Sequence, residues 1–204
     1  MRGWQDLRGR VARFFVMRVL RADDGSQIVE FAVTLPLIAF FLIGIFDFSQ
    51  AYSVKQRVLN AAREGARVGS NQPTQDLSML PSPPTVDALV QSVGRSLNNA
   101  GLNDCGLASN PGGWVVTIPG TLAWTYTASG CALNPTVTVE RGVVTQVAMA
   151  APYPGGNMSV ENTRVTVTYP YIWSFGKIVT VAAPGSSFAG PSTLQGVATM
   201  QNLN

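Results

Sequence analysis

The chain has 204 residues, a formal net charge of +3 and no histidine. The missing histidine removes the usual general base and the commonest metal ligand, which disfavours catalysis and a metal centre. The positive excess lies in residues 1–25, which hold six arginines and three aspartates, so the rest of the chain has eight basic and eight acidic residues. Outside the leader, this balance leaves no basic surface of the kind that binds nucleic acid.

Residues 1–25 form an Arg-rich leader. On a helix, Arg10, Arg13, Arg18 and Arg21 would fall within one arc, opposite a strip of apolar residues. Two interpretations stay open: a helix that lies on the inner membrane surface, and a solvated basic tail. The apolar run that follows is longer than that of a secretory signal peptide, and no A-x-A-like site comes directly after it. We therefore expect no signal-peptidase cleavage there.

The apolar run covers residues 28–46 and has Glu30 as its one ionisable residue. As a helix it is roughly 28 Å long at about 1.5 Å per residue, close to the ~30 Å hydrocarbon core of a bilayer. Its apolar side chains cover every direction around the axis, whereas a core helix of a soluble protein would keep a polar stripe. The run predicts a single membrane span. Because basic residues near a span stay in the cytoplasm, the N-terminus is expected there and residues 71–204 in the periplasm.

The helix is expected to continue beyond the span. Residues 47–68 contain no proline and keep small and apolar residues on one side, so the pattern predicts one helix over residues 26–70 that ends near Gly69. Asp47, just past the apolar run, is open to two interpretations. It is either a solvated carboxylate at the membrane interface or an assembly contact.

Residues 71–204 are predicted to form an α+β domain. A connection rich in Pro, Ser and Thr leads to a short amphipathic helix over residues 86–100. After Cys105 the sequence predicts strands only, as short segments rich in Val, Thr and aromatic residues. These segments are 114–118, 122–127, 136–140, 143–150, 164–169 and 194–200. Their alternation predicts an antiparallel sheet with one buried face, which the long helix would cover.

Two sets of residues in this domain have roles that the sequence leaves open. Cys105 and Cys131 lie downstream of the span, in a compartment that is oxidising if the predicted orientation holds. A disulfide and two small buried thiols both fit this arrangement. Four aromatic residues favour core packing over an exposed sugar-binding surface. They are Trp114, Trp124, Tyr126 and Trp173.

The functional signal lies at the start of the apolar run. A basic leader, Gly25, four residues, Glu30 and then a proline-containing apolar helix together resemble the N-terminus of type IV pilin-like precursors. A glutamate in the first turn of a span is costly unless it has a specific role, and the alternative is a carboxylate that reaches the interface without a partner.

This resemblance implies both a processing site and an assembly residue. In that family a membrane prepilin peptidase cuts after the glycine, which here places the cleavage between Gly25 and Ser26 and makes Glu30 the fifth residue of the product. It also implies that the Glu30 carboxylate neutralises the new N-terminal ammonium of a neighbouring subunit, a pairing that matters more in a lipid-like core than at a surface.

The resemblance is closer still to the TadE-like minor pseudopilins of tight-adherence (Flp) pilus systems. It runs over residues 26–70, including the elements VEFA, IFDF and NAAREGAR, and it appears again at VTVTYPY, residues 165–171. It implies other pilins and pseudopilins and a pilus assembly platform as partners. The protein would then lie in the inner membrane or in the extracellular pilus.

Three classes of function can be weighed on these observations. The first is a minor pseudopilin that helps to assemble, prime or cap an adhesion pilus, without catalysis or a cofactor. The second is an unprocessed, single-pass membrane-anchored β-rich protein that recognises a surface partner or a glycan. An enzyme is disfavoured, because the sequence has no metal-ligand cluster, no G-x-S-x-G, no phosphate loop and no carboxylates paired at a suggestive spacing.

Overall fold

The computed structural model describes residues 23–109, 113–148, 156–182, 185 and 191–203. The chain divides into two compact units, Met1–Phe46 and Asp47–Asn204. The two interpretations of the Arg-rich leader fall on residues 1–22, outside the described part of the chain.

Helix α1 runs from Asp23 to Ser70 and includes Pro36. As predicted, it continues without a break past the apolar run. In the first unit, the side chains of residues 27–38 are all exposed. Large apolar side chains left exposed along a whole stretch of helix are what a lipid-facing helix requires.

The second unit contains two further helices and one sheet. Its elements in chain order are α2 (Pro84–Asn99), β1 (Trp114–Gly120), β2 (Ala123–Ala128), β3 (Thr136–Ala148), β4 (Asn157–Pro170), α3 (Ser174–Ala182) and β5 (Thr193–Gln201). The five strands lie in the order β1-β2-β3-β4-β5, and every neighbouring pair is antiparallel. The predicted α+β class with an antiparallel sheet is confirmed.

The hydrophobic core lies on one face of this sheet. The predicted alternation holds, since Val137, Val139, Val165 and Val167 are completely buried. Small residues of α1 and branched apolar residues of α2 complete the core. They are Ala61, Ala62 and Ala66 from α1 and Val86, Leu89, Val90, Val93 and Leu97 from α2.

The opposite face of the sheet carries threonine. Thr117, Thr125, Thr138 and Thr166 stand opposite one another on four successive strands. The hydroxyls of Thr125 and Thr138 lie 3.0 Å apart and share a hydrogen bond. A polar, β-branched surface opposite an apolar one is expected of an antiparallel sheet with one solvated face.

One prediction for this unit is wrong, because Ser174–Ala182 is a helix where the sequence indicated strands only. The segment SFGKIVTVA is rich in β-branched residues, which locally favour a strand. In the structure, the backbone N–H of Phe175 donates to the Asp47 carboxylate at 2.8 Å. That bond satisfies an amide that a helix N-terminus leaves without a partner. The carboxylate lies 128 residues earlier in the chain, beyond the reach of any local pattern.

The predicted break between residues 140 and 143 is also absent. Strand β3 runs continuously through it and pairs with β4, with a shift in register between Glu140 and Val143. Gly142 has a φ of +79°, so the glycine forms a bulge inside one long strand instead of a turn between two short ones. Strand β4 is correspondingly longer than the predicted 164–169.

Gly196 on β5 marks a close contact between the sheet and α1. A Cβ at this position would lie 2.8 Å from the backbone N and Cα of Leu59. Because a helix backbone cannot rotate away, Gly196→Ala should lower the free energy of unfolding by about 1–3 kcal/mol. Denaturant titration of the purified protein measures this. Gly120→Ala is the matched control, since a Cβ there meets nothing within 4 Å, and equal effects of the two changes would contradict the predicted contact.

Candidate processing and assembly site

The predicted processing site lies at the beginning of α1. In the described part of the chain α1 begins at Asp23, so it includes Gly25 and Ser26. Glu30 follows Ser26 by four residues, and residues four apart on a helix lie on the same face. The positions predicted for cleavage and for assembly therefore lie on one face of α1.

Glu30 is exposed, and it forms no hydrogen bond or ion pair with any residue that the structure describes. Its surroundings on α1 are exposed apolar side chains, including Val29 at 65% and Phe31 at 63% exposure. A carboxylate in such apolar surroundings gains most from a positive partner. No described residue of this chain supplies a positive partner for Glu30.

Glu30 lies in a helix that can anchor the chain in a membrane. Among the described residues, Gln27–Ser70 is the one helix that is both long and apolar enough to cross a bilayer, and its apolar window has no buried residue. This supports single-pass membrane anchoring through the N-terminal part of α1.

Residues 25–67 match the family model described as TadE-like protein. The match begins at Gly25 and includes Ser26, Glu30 and Asp47. It confirms the resemblance drawn from the sequence, and it covers about a fifth of the chain. No curated protein and no solved structure matches the chain. We call residues 25–67 the TadE-like segment.

Asp47 of the TadE-like segment is buried, with 4% of its surface exposed. Its Oδ1 accepts the hydroxyl hydrogen of Tyr171 at 3.2 Å, and its Oδ2 accepts the backbone N–H of Phe175 at 2.8 Å. The interpretation of Asp47 as a solvated carboxylate is therefore wrong. Burial, and then the hydrogen bond and charge of Asp47, raises the pKa of the Tyr171 hydroxyl.

Tyr171, which binds this carboxylate, belongs to a cluster of three aromatic rings. The ring of Phe48 lies 5.1 Å from that of Trp173, and the ring of Trp173 lies 5.0 Å from that of Tyr171, edge to face. The Trp173 Nε1–H donates to the backbone oxygen of Pro191 at 2.8 Å. Both parts of this cluster are rich in aromatic residues in the sequence, as IFDF at the end of the apolar run and as YPYIW later in the chain. No local pattern predicts that these two segments meet.

Residues 60–67 of the TadE-like segment place their alanines in the core and their charged side chains toward solvent. Arg67 forms two hydrogen bonds with the Glu64 carboxylate, at 2.6 and 2.9 Å. The hydrogen bond from Arg67 lowers the pKa of Glu64. Both side chains are well exposed, so this i, i+3 pair contributes only a few tenths of a kcal/mol.

Cys105 and Cys131 are joined by a disulfide in the structure. It connects the loop after α2 to the turn between β2 and β3. A backbone hydrogen bond also joins these two segments, since the N–H of Gly130 donates to the carbonyl oxygen of Cys105 at 2.9 Å. A Cβ on Gly130 would lie 2.6 Å from that oxygen, so the segments are closely packed.

The aromatic residues of the sheet belong mainly to the core. Trp124 and Tyr126 are buried, and the ring of Trp114 packs edge to face on Tyr126 at 5.5 Å. The Tyr126 hydroxyl donates to the Asp87 carboxylate at 2.7 Å, and burial raises its pKa. Across the described ranges no cluster of three metal-ligating side chains occurs.

Proposed function

We propose that this protein is a minor pseudopilin that takes part in assembling, priming or capping a Tad/Flp-type adhesion pilus. The observation that carries the proposal is the TadE-like segment on a membrane-anchoring helix, which supports involvement with Tad pilus systems. We assign the protein a structural role without catalysis of its own.

The first step of this role is maturation by a prepilin peptidase. The enzyme would cut between Gly25 and Ser26 on the cytoplasmic side and remove the leader with its six arginines. The arginine excess before the span favours a cytoplasmic N-terminus in the inner membrane. The unit Asp47–Asn204 would then lie in the periplasm, where the Cys105–Cys131 disulfide is compatible with the oxidising environment.

The second step is pairing between subunits. We assign to Glu30 the neutralisation of the Ser26 ammonium of a neighbouring pilin or pseudopilin. Two observations support this assignment: the carboxylate is exposed among apolar side chains, and no described residue of its own chain supplies a counter-charge. A charge that is left unpaired in an apolar core is costly. Subunits are therefore expected to pack in the register that brings the carboxylate and the ammonium together.

Deletion of the gene in the organism that encodes it tests the proposal. Surface pili, counted by electron microscopy, should be lost or strongly reduced, and the wild-type gene should restore them. If pili remain normal in number and length while attachment to one surface is lost, the protein is instead an anchored binding protein. Normal pili with normal attachment would refute both.

A further inference from the structure

An exposed aromatic and apolar patch lies in the unit Asp47–Asn204, and the pseudopilin role does not use it. We define the interfacial patch as Phe48, Tyr171, Ile172, Trp173 and helix α3. Phe48 is 58% exposed and Ile172 is 66% exposed. Exposed apolar surface of this kind, with ordered aromatic rings beside it, usually marks a binding surface.

The interfacial patch is held to Asp47, the first residue of its unit. Asp47 follows Phe46 directly in the chain, and its carboxylate binds both the Tyr171 hydroxyl and the N-terminal amide of α3. The ring contacts of Phe48 with Trp173 and of Trp173 with Tyr171 add further links. The start of α3 is therefore held at the residue where the apolar run gives way to polar sequence.

Helix α3 has the composition of an interfacial helix. Its sequence, SFGKIVTVA, contains Lys177 as its single ionisable residue. The described side chains of Phe175, Ile178 and Val179 are half-buried. A short apolar helix with neighbouring Trp and Tyr side chains fits the headgroup region of a bilayer.

We propose that the interfacial patch rests in the lipid headgroup region of the membrane that α1 crosses. Asp47 directly follows the apolar run in the chain, so insertion of that run would bring the residue that holds the patch to the bilayer surface. Tyrosine and tryptophan place an apolar body against the acyl chains and a polar tip toward water. This inference rests on membrane anchoring and is independent of the pilus role.

A fluorescent label placed at Ile172 tests the proposal in the full-length chain. Ile172→Cys changes an exposed residue, and the two native cysteines are already bonded to each other, so labelling without reductant is selective. One copy is placed in a nanodisc of phosphatidylcholine and phosphatidylglycerol that includes a headgroup-labelled nitroxide lipid. The matched control is Leu80→Cys, which is 79% exposed and follows the far end of α1.

Quenching by the nitroxide lipid should be several-fold stronger at position 172 than at position 80, and quenching by aqueous iodide correspondingly weaker. Equal quenching at both positions would overturn the proposal. So would a label at position 172 that iodide reaches in the nanodisc but not in native membranes, because a protein partner would then cover the patch. A pilus defect does not affect this measurement.

Discussion

Glu30→Ala and Glu30→Gln should each reduce pilus assembly by at least about tenfold. Each variant leaves the N-terminal ammonium of a neighbouring subunit unpaired in an apolar core, which costs several kcal/mol, and each 1.4 kcal/mol is a factor of ten. Membrane level should stay the same or rise, since removing a carboxylate does not reduce the hydrophobicity of the span. The glutamine variant separates charge from shape. It keeps the size and hydrogen-bonding capacity of the side chain but cannot neutralise an ammonium.

The matched control for this prediction is Glu64→Gln. It makes the same chemical change on the same helix, at an exposed carboxylate that already has Arg67 as its partner. Assembly should be normal in this variant. Glu30 variants that are inserted, cleaved and assembled like the wild type would show that Glu30 is only an interfacial carboxylate.

Reduction of the Cys105–Cys131 disulfide should lower the free energy of unfolding of the Asp47–Asn204 unit by roughly 3–4 kcal/mol. The bond joins residues 26 positions apart, and a loop of this length restricts the unfolded chain by about that much. For a unit of this size the melting temperature should fall on the order of 10 °C. Near-ultraviolet circular dichroism of the full-length protein, with and without reductant, measures the shift.

The double variant Cys105→Ala, Cys131→Ala controls for side effects of the reductant, which should leave its melting temperature unchanged. The oxidised wild-type protein should not react with a maleimide until it is reduced. Free reaction of both thiols in the folded, unreduced protein would contradict the disulfide.

The sequence predicts the fold correctly wherever an element is defined by the hydrophobic pattern of its own residues. The long apolar run, its continuation to Ser70 and the alternation at Val137, Val139, Val165 and Val167 depend on periodicity within one element, and the structure confirms them. Helix α3 was missed, because its β-branched sequence favours a strand and its first turn is held by Asp47 from a distant part of the chain. The bulge at Gly142 was read as a turn for a related reason, since the long pairing of β3 with β4 decides between the two.

The candidate site divides in the same way. Gly25, Ser26 and Glu30 lie within six positions of one another, so their pattern could be compared with type IV pilin-like precursors, and the processing and assembly roles that this resemblance implies stay a prediction. The contacts of Asp47 with Tyr171 and Phe175 depend on folding, so the sequence left Asp47 between two interpretations and the aromatic cluster beside it went unpredicted. Residues brought together across more than a hundred positions leave no local pattern.

The most direct test of the central claim is the intact mass and N-terminal sequence of the protein purified from membranes of its native host. We expect a chain that begins at Ser26 and lacks all six leader arginines, and we expect Gly25→Val to accumulate at full length. Recovery of only the full-length wild-type chain, from cells whose other pilins are processed, would contradict maturation after Gly25 and the pseudopilin function built on it.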